Sequence, residues 1–410
     1  MSVATSLADL LPAAAVGEGD DLAGGLLLGR TPEAVVLPES AEEVAAALGW
    51  ASAQGMGVLP VGSGRRLRAR VHDRPFILLR TERLSGIEIY EPADLTFTAR
   101  AGTPLDELRE RLGAHRQWLP FDPPHVDERS LGGLVATGES GPASTGYGEL
   151  RNHVLGMTVV TGDGRTLRLG GRVVKNVAGF DLLKPLVGSR GRLAVITSVC
   201  VRAFPMPAED RLLLLRGEKP RDLVAAARAV GTAPVLPVSA VLAAPVPGLA
   251  SAALLVRLHG SLPTVEADQR TLEAHCGVSF ERSTAAALPT EVRDLASGAP
   301  VVLGVSVLPS RLDDALAAVG DVFGEVALAV DAYLGRMRIA PAGLTAQAAR
   351  TLCTTIEGFG GTLSVHVLAT HPEAEGLAAA GSALSPHEAE LVERLERVFD
   401  PTGVLWPTRS

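Results

Sequence analysis

Hydrophobic and polar positions change period several times along the chain, and each change marks an element. Val44, Ala47, Leu48 and Ala51 recur at helical spacing after Ser40, and Glu43 follows Ser40 by three residues. That is a capping box opening a helix, which Gly55 closes. Residues 58–61 are a short apolar run and read as a strand running into GSGRRLRAR. FILLR, IEIY and LTFTARAG give three further strands. Leu105, Leu108 and Leu112 form the buried face of a helix for which Thr103 is the expected cap and Pro104 the first turn. After Gly113 the periodicity stops, and WLPFDPPHVDERSLGGLVATGESGPASTGYGEL is irregular and rich in glycine and proline. Long irregular stretches in compact domains are usually functional. HVLGMTVVTGDGRTLRLGG returns to alternation and reads as a hairpin around a GDG turn.

The next segment, RVVKNVAGFDLLKPLVGSRGRLAVIT, sets Gly179, Gly188 and Gly191 among Lys175, Asp181, Lys184 and three arginines, just before an apolar strand. From about Asp210 strands and helices alternate without glycine loops, an α+β pattern that fits an antiparallel sheet carrying helices on one face. Ser385 and Glu388 form a second capping box, opening a helix expected to bury Leu391, Leu395, Val398 and Phe399. The organisation read from this pattern is an N-terminal segment, 1–30, a first domain, 31–207, a cap domain, 208–383, and a terminal helix and tail, 384–410, returning to the first domain.

Length and charge narrow the class. A chain of 410 residues exceeds one hydrophobic core. Its 38 basic and 46 acidic residues give a net charge of −8 with no basic stripe, which argues against nucleic acid as a partner. Cys200, Cys276 and Cys353 lie far apart, so they outline neither an iron–sulfur cluster nor a disulfide framework, and a reducing compartment fits. The first residues lack a positive n-region, and Asp9 and Pro12 break their apolar part. With no transmembrane segment and no apolar run of ~18 residues, a cytoplasmic protein is expected, with attachment at the inner face of the membrane through a partner left open.

Three glycine segments carry the candidate chemistry. In PVGSGRRL, Gly62 and Gly64 follow a strand, and successive amides there can converge on an anion. A plain tight turn fits the same residues, and neither a Walker A loop nor GxGxxG opening a helix is present. The second segment holds Gly132, Gly133, Gly138, Gly141, Gly146 and Gly148, a density that suits backbone wrapped around a ligand, with a surface loop as the alternative. The third holds Gly188 and Gly191 before a strand. Backbone there could lie against a flat ring, and three glycine loops separated by strands are far more telling of a bound ligand together than singly.

In this order, PVGSG, FDPPH, GGLVATGESG, YGELRNHVLGMTVVTGDGRTLRLGG, VVKNVAGFDLLKPLVGSRGRLAVIT and FDPTGVLWP, the chain resembles the FAD-binding domain of the vanillyl-alcohol oxidase/PCMH flavoprotein superfamily. VVKNVAGFDL and FDPPH look like the FAD-binding subunit of bacterial glycolate oxidase. The resemblance implies an α+β protein, with a PCMH-type FAD-binding domain of two α/β subdomains and an α+β cap of antiparallel sheet and helices. It implies that Val61, Gly62, Ser63, Gly64 and Arg65 hold the pyrophosphate of FAD. Pro123, Pro124, Gly132, Gly133, Ala136, Thr137, Gly138 and Gly141 would line the dinucleotide and flavin, with Tyr147 and Gly148 at the family's aromatic-glycine turn. Gly188, Ser189, Gly191, Val195, Ile196 and Thr197 would pass beside the adenosine and isoalloxazine edges.

Departures from the family pattern qualify this picture. Arg65 and Arg66 stand where many members carry the histidine that attaches FAD, so non-covalent FAD is expected. Phe180 replaces a tyrosine, Ala194 a glycine and Trp406 an asparagine. The histidine-rich metal motif of related 2-hydroxy-acid dehydrogenases is absent, so no metal is expected. The nearest histidines are His366 and His371 in GFGGTLSVHVLATHP. No catalytic base is assigned. Weak candidates for substrate contact are Lys175, Arg257, Arg336, Arg338 and His366, although strand-face arginines more often meet solvent or an ion pair and His366, in an apolar strand, reads better as an ordinary satisfied histidine. Lys175 beside a flavin carbonyl would stabilise the reduced ring, whereas a Lys175–Asp181 pair that only fixes the loop accounts for the same residues.

The expected function is the FAD-binding subunit of a glycolate oxidase or dehydrogenase complex, oxidising glycolate or D-lactate to the 2-oxo acid. A catalytic flavoprotein subunit and an iron–sulfur subunit would be its partners. A non-catalytic relay or structural subunit, and a stand-alone flavin oxidase of another substrate, are the alternatives.

Overall fold

The computed structural model of the chain describes residues 2–12, 16–17, 31–64, 74–171, 181–244, 246, 249, 251–285, 287–295, 299, 301–367, 377 and 380–405. Arg65, Arg66, Lys175, Phe180, His371 and Trp406 lie outside the described residues.

The first layer is a small sheet in which β1 (Ala34–Val36), β3 (Phe76–Arg80) and β2 (Gly57–Val61) run parallel, with Val16–Gly17 antiparallel at the edge. Helix α1 (Ala41–Ala53) crosses from β1 to β2. Its expected cap is present, with the Glu43 amide donating to Ser40 Oγ at 3.2 Å. The reciprocal bond falls one residue early, from the Glu39 amide to Glu43 Oε2 at 2.8 Å.

The second layer is an antiparallel sheet in the order β4 (Ile87–Glu91), β5 (Thr96–Arg100), β8 (Ala194–Arg202), β6 (Val154–Thr161), β7 (Thr166–Gly170). Helices α2 (Leu105–Gly113) and α3 (Leu131–Thr137) cover it, and Leu105, Leu108, Leu112, Leu131 and Leu134 sink into the same core as Phe97 and Val199. Thr103 does not cap α2: its hydroxyl donates to the Arg100 carbonyl at 2.7 Å, and the helix starts directly after Pro104.

The third layer is an antiparallel sheet of eight strands among the described residues. Its order is Glu281–Arg282, β9 (Glu209–Gly217), β11 (Ala252–Gly260), β10 (Ser239–Ala244), β13 (Ala327–Asp331), β14 (Arg336–Ala340), β12 (Val301–Ser306), β15 (Thr362–Val367). Side chains alternate between its faces. Leu303, Val305, Leu328, Val330, Met337, Ile339, Leu363 and Val365 enter a core shared with the helices Pro220–Thr232, Leu312–Phe323 and Ala346–Gly358. The opposite face, toward the first two layers, is set by the same register. Thr362 pairs with Ser306, Ser306 with Arg336, and Arg336 with Asp331. In the next row Ser364 pairs with Gly304, Gly304 with Arg338, and Arg338 with Ala329. One half of the cap sheet therefore turns a polar grid inward.

The final helix, α4 (Pro386–Phe399), has its capping box, with the Ser385 amide donating to Glu388 Oε2 at 2.8 Å and the Glu388 amide to Ser385 Oγ at 3.3 Å. Its expected burial needs correcting. Phe399 is buried and Leu395 packs against the second layer, but Leu391 and Val398 are 44% and 64% exposed. The helix is tied at its C-terminal turn, where Glu396 accepts from Arg192 at 2.9 Å, so its apolar stripe is only partly covered. The chain then returns to the first layer: the Asp400 carboxylate accepts the Val404 and Leu405 amides at 2.9 and 2.8 Å, and the Val58 amide donates to the Val404 carbonyl at 2.8 Å. No helix among the described residues is long and apolar enough to cross a membrane.

Candidate cofactor and substrate site

Two clefts meet at Arg190. The first lies between the end of β2, helix α3 and the start of β8. Of the residues implied by the family resemblance, Val61, Gly62, Ser63, Gly64, Gly132, Gly133, Ala136, Thr137, Gly191, Val195 and Ile196 line it. The second lies between the loop after α3 and the polar grid of the cap sheet. Pro124, Gly138 and Gly141 line it from one side, and Arg336, Arg338 and His366 from the other.

The remaining residues stand elsewhere. Tyr147 turns into an aromatic cluster, where its hydroxyl lies 3.0 Å from His259 Nδ1 and its ring meets Trp118 and Phe204 edge to face. Gly148 follows it as the turn residue, and the Tyr147 carbonyl lies 2.7 Å from His153 Nε2. Thr197 points into the sheet, its hydroxyl donating to the Thr158 carbonyl at 3.1 Å. Pro123 is buried beside Pro124, and Gly188 and Ser189 form the turn behind α3, where the Gly188 amide donates to the Val135 carbonyl at 3.0 Å. Arg257 lines neither cleft. It makes a two-point pair with Asp210, Nε to Oδ1 at 2.9 Å and Nη2 to Oδ2 at 2.6 Å, with its guanidinium over the Trp118 ring. Burial pushes the Asp210 carboxyl up, but the bonds from Arg257 and His259 pull it below the ordinary range. Asp181 pairs with Lys184 at 3.6 Å.

The glycines of α3 act by close approach rather than as anion donors. The Gly132 amide donates to the Ala101 carbonyl at 2.7 Å and the Gly133 amide to Ser130 Oγ at 3.3 Å, so both are committed within the protein. A Cβ on Gly132 would stand 2.6 Å from Ala101 Cβ, which is why the helix can lie against β5 only with glycine there. Gly141 has φ +81°, and its missing Cβ would overlap the Asp122 carbonyl.

Several lining residues were not singled out from the sequence. Arg129, 3% exposed, pairs with Glu139 at 2.7 Å and donates to Thr137 Oγ1. Its position inside DERSLGG, a charge entering a glycine run, was the available signal. Arg190 holds φ +55°, an uncommon conformation for a residue with a side chain, and its amide donates to the Ala136 carbonyl at 2.8 Å. Asp331 accepts the Tyr333 and Leu334 amides at 3.1 and 3.0 Å and the Thr145 hydroxyl at 3.3 Å. Burial, opposed by those bonds, pushes its carboxyl up to about 6.

The first cleft suits a dinucleotide. Its walls are rich in glycine, alanine and valine, which leave room for a flat ring, and Ser63 and Arg190 stand there with a donor and positive charge for a diphosphate. Arg129 and Thr137 are committed to Glu139 and to the Gly133 and Leu134 carbonyls and shape the wall instead. Residues 32–170 match the family model described as an FAD binding domain. That stretch is similar to FAD-binding domains. Glycolate oxidase subunit GlcE of Escherichia coli (strain K12) is 46% identical over 123 residues, 30% of this chain and 35% of that protein. D-lactate dehydrogenase of Archaeoglobus fulgidus is 36% identical over 183 residues, 44% of this chain and 41% of that protein. The matched part thus spans less than half the length of either curated relative. A solved structure of alkyldihydroxyacetonephosphate synthase superposes on 99% of this chain and 84% of that one, with a TM-score of 0.75 at 16% identity. That likeness shows the fold over the whole chain, an α+β architecture with a large antiparallel cap sheet, as the sequence led one to expect.

Proposed function

We propose that the chain is an FAD-dependent 2-hydroxy-acid oxidoreductase, the FAD-binding subunit of a glycolate oxidase-type complex acting on glycolate or D-lactate. The observation that carries this reading is the meeting of the two clefts at Arg190. A dinucleotide laid from Ser63 past Arg190 brings its far end under the polar grid of the cap, where a small acid has hydrogen-bonding partners. Residues 31–207 would then be the cofactor domain, 208–383 the cap, and 384–410 the returning tail.

Bound FAD supplies a two-electron acceptor in this reading. The chain's own part is binding, orientation and proton handling. Ser63 and Arg190 hold the cofactor without a covalent bond, and Arg129, paired with Glu139, fixes the wall behind them. Arg336 faces the substrate carboxylate. His366, whose Nε2 lies 3.0 Å from Ser364 Oγ and whose buried Nδ1 has no hydrogen-bond partner among the described residues, takes up the hydroxyl proton. An iron–sulfur partner subunit would take the electrons onward, since the three scattered cysteines of this chain offer no cluster site.

One observation favours the second reading, a non-catalytic relay subunit. Each candidate guanidinium already has a protein partner: Arg257 has Asp210, Arg336 has Glu149, and Arg338 donates to the Arg293 and Val292 carbonyls. Anaerobic addition of glycolate or D-lactate to the FAD-loaded chain separates the two. Loss of the oxidised-flavin absorption is expected, and a bound flavin that neither acid reduces supports the relay.

A further inference from the structure

The ion pair between Glu149 and Arg336 has the geometry of a substitute ligand. Glu149 and Arg151 sit on the loop that leaves Ser144–Tyr147, on the cofactor side of the second cleft, whereas Arg336 sits on β14 of the cap. Arg336 Nη2 lies 2.5 Å from Glu149 Oε1, and Arg151 Nε lies 3.4 Å from Glu149 Oε2. One carboxylate therefore serves two guanidiniums, which leaves positive charge in excess at the cleft wall.

Asp331 stands beside Arg336 in the sheet register, accepts from the Tyr333 and Leu334 amides and the Thr145 hydroxyl, and offsets part of that charge. The balance of the cleft wall stays positive, because Arg151, Arg190, Arg336 and Arg338 face Glu139, Glu149 and Asp331. Glu139 pairs with Arg129. Arg336, Arg151 and Glu149 keep side-chain exposures of 52%, 50% and 31%, so the contact is a weak one that an incoming anion can replace.

We propose that Arg336 and Arg151 form a carboxylate subsite at the mouth of the second cleft, and that Glu149 is its built-in competitor. Glu149 holds the two arginines in place while lowering the apparent affinity for any carboxylate ligand by the fraction of time it occupies Arg336. The inference rests on the 2-hydroxy-acid reading for the identity of the ligand's anionic group, and it assigns to Glu149 the setting of affinity at that site.

The test is calorimetric titration of the FAD-loaded full chain with oxalate, for the wild type, Glu149→Gln, Glu149→Asp and Arg336→Gln. Removing an exposed competitor of this kind tightens oxalate by about two- to sixfold in Glu149→Gln. Glu149→Asp, which keeps the charge but is one methylene too short for the contact, tightens it as well. Arg336→Gln weakens it by roughly tenfold or more. The proposal is overturned if oxalate binds to no form, if Glu149→Gln binds no more tightly than wild type, or if Glu149→Asp matches wild type, because repulsion rather than competition would then be at work. Oxalate binding as expected in proteins whose flavin neither glycolate nor D-lactate reduces would remove the oxidoreductase reading and leave the subsite standing.

Discussion

At the residue scale, the clearest consequence concerns Asp331. Its carboxyl titrates near 6 rather than at its ordinary 3.8, because burial disfavours the charged form. A group whose folded-state pKa is raised contributes stability that is fully present below its unfolded value and is lost as pH rises through the folded one. Between about pH 4 and 7 the wild type should thus lose up to about 3 kcal/mol on this account. Asp331→Asn keeps an acceptor for the two turn amides and should flatten that part of the pH profile in denaturant unfolding. An unchanged profile would mean that Asp331 is not the group responsible. Gly141→Ala should cost about 2 kcal/mol or more, since it combines φ +81° with overlap of the Asp122 carbonyl, and a denaturation midpoint measures it. The glycine runs were legible in the sequence as places of close approach, but not what approaches what. Gly132 meets Ala101, a contact between residues 31 positions apart that no local pattern contains. Arg129 and Asp331 were missed for the same reason, because their meaning depends on partners supplied by other segments.

At the scale of elements, period and capping read well where they act locally. Both Ser–x–x–Glu boxes open helices, and the GDG hairpin lies between Val154–Thr161 and Thr166–Gly170. The terminal helix shows where such reading stops. An apolar stripe at helical spacing says that one face is apolar, not that a neighbour covers it. Leu391→Lys and Val398→Lys should each change unfolding free energy by no more than about 0.5 kcal/mol. Phe399→Ala should cost about 3–5 kcal/mol, because that ring closes the second-layer core. Equal costs at all three positions would contradict the exposed placement of the stripe. The polar grid is also an element-level feature: strand alternation puts Thr362, Ser364 and His366 on one face, but only the strand order sets them beside Ser306, Arg336 and Arg338.

At the scale of the whole molecule, three layers of sheet are arranged so that two clefts join at one residue, Arg190. The first cleft lies between the first two layers, and the cap is joined to them by contacts such as the bond from the Gly146 amide to the Val238 carbonyl at 3.1 Å. The proposed route of a dinucleotide puts the diphosphate end at Ser63 and the ring end beneath the cap. The central claim is that this route holds FAD non-covalently, and the most direct measurement is the flavin content of the purified full-length chain before and after acid precipitation. The account predicts about one FAD per chain, bound on purification or taken up on addition, and all of it released into the acid supernatant. A chain that takes up no FAD, or one whose flavin stays with the precipitate, would contradict it.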